Sequence, residues 1–180
     1  MRMHIEPFTL VAATTEEAEL PPPFLSRFSY RCELEPFDDE TMHRLANRIV
    51  ERHECPLESS VRARLVRASH GIPRTAVSLV ALAIDCAQAD GRSEITPSDV
   101  NEALRAKDLD ENGFSSVQRK ILAVLRTHER PLGVEMLAAL LGKTTQAIRE
   151  IYEPDLLRAG LVVRTPRGRM ATRVVMRATA

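Results

Sequence analysis

Residues 162–172, Val-Val-Arg-Thr-Pro-Arg-Gly-Arg-Met-Ala-Thr, constrain the fold more than any other stretch of this chain. Short apolar runs flank Thr165-Pro166-Arg167-Gly168, in which proline presets φ and glycine permits a positive one. The pattern predicts a tight β-hairpin. Three apolar-periodic segments precede it. Val117, Ile121, Leu122 and Leu125 mark a first helix, opened by Ser115 or Ser116 as N-cap. Val134, Leu137, Leu140 and Leu141 mark a second, between the break at Pro131-Leu132-Gly133 and Gly142. Ile148, Ile151 and Tyr152 mark a third, capped by Thr144 or Thr145, and Leu156 and Leu157 carry it to Gly160. Three short helices followed by a hairpin predict a winged helix over about 111–180.

The charge supports a polyanionic partner for that end. Residues 115–180 carry 12 Lys+Arg against 5 Asp+Glu, a surplus of +7 inside a chain that is neutral overall, so the rest carries −7. Arg164, Arg167 and Arg169 lie within six residues at or beside the turn, a compact positive tip able to grip phosphates. In an ordinary winged helix the third helix reads bases in the major groove. Here that helix holds Lys143, Gln146 and Arg149 but also Glu150, Glu153 and Asp155, which face phosphates badly. The reading is therefore a DNA-backbone contact by the wing, with little sequence specificity. The plain alternative is a solvated hairpin whose arginines serve solubility.

The middle of the chain reads as four helices. Asp38-Asp39-Glu40 opens the first, over about 38–53, with acids at the positive end of the helix dipole. Pro56 breaks it. Val61, Leu65 and Val66 mark the second, which ends at His70-Gly71-Ile72-Pro73. Val77, Val80, Ala81, Ile84 and Ala87 mark a third over about 74–89. The fourth starts at Thr96-Pro97 and carries Val100 and Leu104. Before them, Phe8 to Thr15 reads as a buried strand with no obvious neighbour to pair with. An acidic, proline-rich loop follows. The fold class is mainly α, in two domains.

Cys32, Cys55 and Cys86 are scattered and form no CxxC pair, which argues against a disulfide framework or a zinc site. No His-x-x-x-His pair occurs. Neither a metal nor covalent chemistry is expected. No signal peptide or membrane-spanning run is evident, so a cytoplasmic protein is expected.

Several of these stretches resemble RuvB, the bacterial family of AAA+ motors that drive Holliday-junction branch migration. Tyr152-Glu153-Pro154-Asp155-Leu156-Leu157, Gly160-Leu161 and Arg164 to Thr172 are similar to its C-terminal DNA-binding domain. Val11-Ala12-Ala13-Thr14-Thr15 resembles the segment that ends in the sensor 1 position, at Thr15, and Pro22 to Phe28 resembles the arginine-finger segment, with Arg27 as the finger. His70-Gly71-Ile72-Pro73-Arg74 resembles the family's Arg-Gly-Thr-Pro-Arg, which makes Arg74 the sensor 2 arginine. Phe37 stands where the family has a tyrosine beside the adenine, and Leu25 where it usually has a second arginine.

The resemblance implies three segments: a remnant of the AAA+ core at 1–37, a helical lid at 38–110 and the winged helix at 111–180. It implies an ATP-dependent DNA helicase working with ATP and magnesium as a hexameric ring with RuvA on four-way junctions. Arg27 would be catalytic in a neighbouring subunit. Thr15, Phe37 and Arg74 would face the nucleotide, and the wing arginines Arg164 and Arg169 the DNA, with Arg167 between them read as a third DNA contact. The sequence contains no GxxxxGK[ST] loop and no apolar run ending in an Asp-Glu pair, so the chain is not expected to hydrolyse ATP alone. The family's RuvA-contacting hairpin is missing as well. Two other functions stay open: a winged-helix transcriptional regulator, and a degenerate AAA+ fragment that docks on an intact motor.

Overall fold

The computed structural model describes residues 6–128 and 130–172. The parts of the expected 1–37 and 111–180 segments that fall on 1–5, 129 and 173–180 lie outside the described residues. The chain divides into two compact units, one up to Glu35 and one from Pro36.

The first unit holds a 3-10 turn at Glu17–Glu19 and a single helical turn, α1 (Pro22–Leu25). Phe24 and Phe28 meet edge to face at 5.2 Å, and Arg31 pairs with Glu17 at 3.2 Å. The strand expected at Phe8–Thr15 is a correction: no strand forms, and these residues are exposed. A strand satisfies its N–H and C=O groups only against a neighbour, and among the described residues none pairs with this one.

The second unit opens with four helices: α2 (Asp39–Arg52), α3 (Ser59–Ala68), α4 (Pro73–Ala89) and α5 (Pro97–Ala106). Asp38 caps α2 by accepting from the Thr41 N–H at 2.7 Å. α4 packs against both α2 and α5. Met42, Leu65, Leu79, Ile84, Ile95, Val100 and Leu104 are buried together between them. Each such side chain contributes about 1.5–3 kcal/mol by leaving water. One position departs from the sequence reading. Val77 is exposed, and Ala76 and Leu79 take the inner face of α4 instead.

The chain turns back at Asp110, whose Oδ1 accepts from the N–H groups of Asn112 and Phe114, both at 2.9 Å. That turn drives Phe114 into a second core and sets its ring 4.7 Å from His70. Gly113 (φ +83°) lies so close to α3 that a Cβ there would sit 2.3 Å from the Ala68 carbonyl oxygen.

The second core belongs to the winged helix. α6 (Ser116–Thr127) starts in a capping box: Gln118 Oε1 accepts from the Ser115 N–H at 2.8 Å, and Ser115 Oγ accepts from the Gln118 N–H at 3.3 Å. α7 (Val134–Leu141) ends at left-handed Gly142. Thr144 caps α8 (Thr145–Ala147), which runs through a π-helical turn at Ile148–Tyr152 into α9 (Glu153–Arg158). Pro154 explains the wide turn: it has no N–H and its ring crowds the carbonyl four residues back. Leu140 and Ile151, read as facing inward, are exposed. β1 (Val162–Thr165) and β2 (Gly168–Ala171) form the antiparallel wing.

Candidate nucleic-acid interface

The hairpin register places Arg164 directly opposite Arg169, and Thr165 opposite Gly168. Two like charges facing each other across a strand pair are destabilising. The structure resolves the conflict with Glu153, the first residue of α9. Its Oε1 accepts from Arg169 Nε at 2.9 Å, and its Oε2 from Arg164 Nη2 at 2.9 Å and Arg169 Nη2 at 3.3 Å. Burial alone would raise the Glu153 pKa, but the two guanidinium groups outweigh it and hold the carboxyl below its ordinary value. The same contact raises the pKa of Arg164.

The three wing arginines therefore differ in kind. Arg169 is 15 % exposed and Arg164 53 % exposed, against 3 % for Glu153. Arg167 stands at the turn, exposed, and its side chain makes no ion pair among the described residues. The turn beneath it is tied down. Thr165 Oγ1 donates to the Gly168 carbonyl at 2.9 Å and accepts from the Arg167 N–H at 3.3 Å.

A third segment supports the wing. Leu132 and Arg169 exchange both backbone hydrogen bonds, at 2.9 and 2.7 Å. The Pro131-Leu132-Gly133 stretch, read from sequence only as a break, thus pairs with β2. Gly168 (φ +137°) is required at this crossing, because a Cβ would lie 2.3 Å from the Leu132 carbonyl oxygen.

The acids of the third helix also need correcting. Glu153 is turned inward, as described. Asp155 accepts from Gln118 Nε2 at 3.1 Å and pairs with Arg158. Glu150 alone of the three remains exposed without an ion pair among the described residues. Sequence reasoning missed Glu153 as part of the site. The available signal was the register itself, since two facing arginines on one strand pair call for an acid between them.

The residues expected to face a nucleotide fall in both units. Thr15 and Arg27 are exposed in the first. Phe37, just before α2, and Arg74, in α4, belong to the second. The Phe37 N–H donates to the Gly71 carbonyl at 2.9 Å, and Arg74 sits in the first turn of α4, exposed and without an ion pair among the described residues. Phe37 also lines a groove of about 470 Å³ with His43, Arg67 and His70, which Arg74 does not border. This set lacks any glycine-rich backbone cradle for phosphates, so it does not fit ATP with magnesium by itself.

Residues 111–178 match the model of the RuvB C-terminal winged helix domain. The chain is 35 % identical over 179 residues to the Holliday junction branch migration complex subunit RuvB of Kosmotoga olearia, covering 98 % of this chain and 52 % of that protein. The RuvB subunit of an Anaeromyxobacter species is 35 % identical over 173 residues, covering 95 % and 51 %. The solved structure of the Thermotoga maritima RuvB Holliday junction branch migration motor superposes with a TM-score of 0.77 at 32 % identity, covering 94 % of this chain and 57 % of that one. The chain spans about half the length of the curated relatives it matches.

Proposed function

We propose, on the premise that this chain belongs to the RuvB family through its winged-helix domain, that it binds branched or duplex DNA through the wing and serves Holliday-junction branch migration in recombination and repair. The observation that carries this reading is the exposed Arg167 turn, fixed by Thr165 and Gly168 and flanked by the half-exposed Arg164. Phosphate contacts of this kind position a protein on DNA and carry no sequence information. On this reading Arg164 and Arg167 touch phosphates, and Arg169 holds the wing to α9.

The helices from Asp39 to Ala106 take the place of a AAA+ lid, with Arg74 facing a nucleotide in cis, Phe37 beside its base, and Thr15 and Arg27 serving the core and a neighbouring subunit. ATP and magnesium enter only with a phosphate-binding loop supplied by other residues than these, so no hydrolytic step is assigned to this chain. The partners on this reading are a hexameric ring of its own copies or intact RuvB subunits, with RuvA reached through a contacting hairpin supplied by other residues than these, in the cytoplasm.

The test is fluorescence anisotropy with a labelled four-way junction and a labelled linear duplex at several salt concentrations. The expected result is binding to both that weakens steeply with salt and prefers the junction. A strong preference for one duplex sequence would instead favour a transcriptional regulator. No binding at low salt by folded protein would refute the DNA reading.

A further inference from the structure

Glu153 lies between two of the wing arginines, Arg164 and Arg169, and accepts hydrogen bonds from both. It is almost fully buried, it accepts three hydrogen bonds, and its two partners have unequal freedom. Arg169 gives it two donors, Nε and Nη2, from a largely buried side chain. Arg164 gives it one donor, Nη2, from a side chain that is half in water. One of the two can leave without stranding a buried charge, because the other still neutralises it.

We infer that Glu153 is an internal stand-in for phosphate: it holds Arg164 in the free protein and surrenders it to the DNA backbone on binding, while Arg169 stays behind. This rests on the DNA-binding reading above and deepens it. Glu153 is then a positioning residue that competes with DNA. Arg169 keeps α9 and the wing joined in both states. The wing makes two exchangeable phosphate contacts, from Arg164 and Arg167. The arrangement also keeps two facing arginines from repelling each other when no polyanion is present.

The experiment is a double-mutant cycle of Glu153→Gln and Arg164→Ala in the full chain, read by anisotropy on a labelled duplex at low salt. Glutamine keeps the shape and can still accept from Arg169, but it no longer competes electrostatically for Arg164. Glu153→Gln is expected to tighten binding about fivefold. The gain should vanish when Arg164→Ala is added. A purely structural role predicts the opposite, a less stable variant that binds no better. Folding is checked by circular dichroism.

If Glu153→Gln does not fold, the wild-type protein supplies the second test. The Nε–H NMR signals of Arg164 and Arg167 are expected to shift on titration with duplex, and that of Arg169 to stay put. Equal shifts for Arg164 and Arg169, or a folded Glu153→Gln that binds no more tightly, would overturn the exchange while leaving DNA binding intact. Wild-type protein that binds no DNA at low salt would sink the DNA reading itself, and the exchange with it.

Discussion

Arg92 grips Asp99 with both ends of its guanidinium: Nη1 donates to Oδ2 and Nη2 to Oδ1, each at 2.7 Å. Asp99 sits in the first turn of α5 and is buried. Its Oδ2 also accepts from the Thr96 N–H at 2.7 Å and from the Thr96 hydroxyl at 2.8 Å. One carboxylate thus caps α5 and anchors the loop after α4. Removing its charge by Asp99→Asn is expected to cost about 2 kcal/mol, since it weakens a charge-assisted pair whose arginine is only partly buried. Urea unfolding measures this.

Acid should unfold the protein through the same group and through Glu153. The Arg92 guanidinium holds the Asp99 carboxyl well below the usual range, against the opposing effect of burial. Glu153 is lowered too. Both folded-state pKa values lie under the unfolded ones, about 3.9 for Asp and 4.3 for Glu. The stability they confer is therefore complete above those values and is lost as pH falls through the folded ones. Unfolding free energy should be level in this respect above about pH 5 and fall below about pH 4. The fall should be shallower in Asp99→Asn.

Gly168→Ala is expected to disrupt the wing. The added methyl meets the Leu132 carbonyl oxygen at 2.3 Å on a backbone that side chains rarely adopt. A loss of about 2 kcal/mol or more is expected. Hydrogen exchange should localise it to Leu132 and the hairpin. DNA affinity should fall in step, because Arg167 would lose its fixed turn.

Gly113→Ala tests the joint between the two cores. The substituent would strike the backbone of Ala68 at the end of α3, while the ring of Phe114 next to it lies tilted against His70. The midpoint of thermal unfolding should drop. The two cores are expected to separate into two calorimetric transitions as their contact loosens.

Arg167→Ala should leave stability unchanged, since the side chain makes no ion pair among the described residues. It should lower the slope of log affinity against log salt by about one. Arg169→Ala should lower stability instead, because it removes the two donors of the largely buried guanidinium that hold Glu153 and leaves a gap between α9 and the wing. The pair of variants separates contact from support, read by anisotropy and urea unfolding side by side.

Much of this was legible in the chain, and for local reasons. Helix starts at Asp38, Thr96, Ser115 and Thr144 follow from hydroxyl and carboxylate caps acting within three residues. The end of α7 follows from Gly142. The hairpin turn follows from Pro166 and Gly168. Where the reading failed, the missing information was non-local. Phe8 to Thr15 has strand composition, but a strand exists only with a partner. Val77, Leu140 and Ile151 have the right period, but period does not say which face meets a neighbour.

The sequence by itself determined the main helices and the hairpin, because caps, breakers and apolar spacing act through the adjacent backbone. It also determined that the basic charge gathers in the C-terminal third. Only the tertiary structure decided what each charge does. Arg164, Arg167 and Arg169 are alike in sequence. They differ because α9 brings Glu153 beneath the first and last of them, and a buried carboxylate binds the guanidinium groups within its reach more firmly than water does.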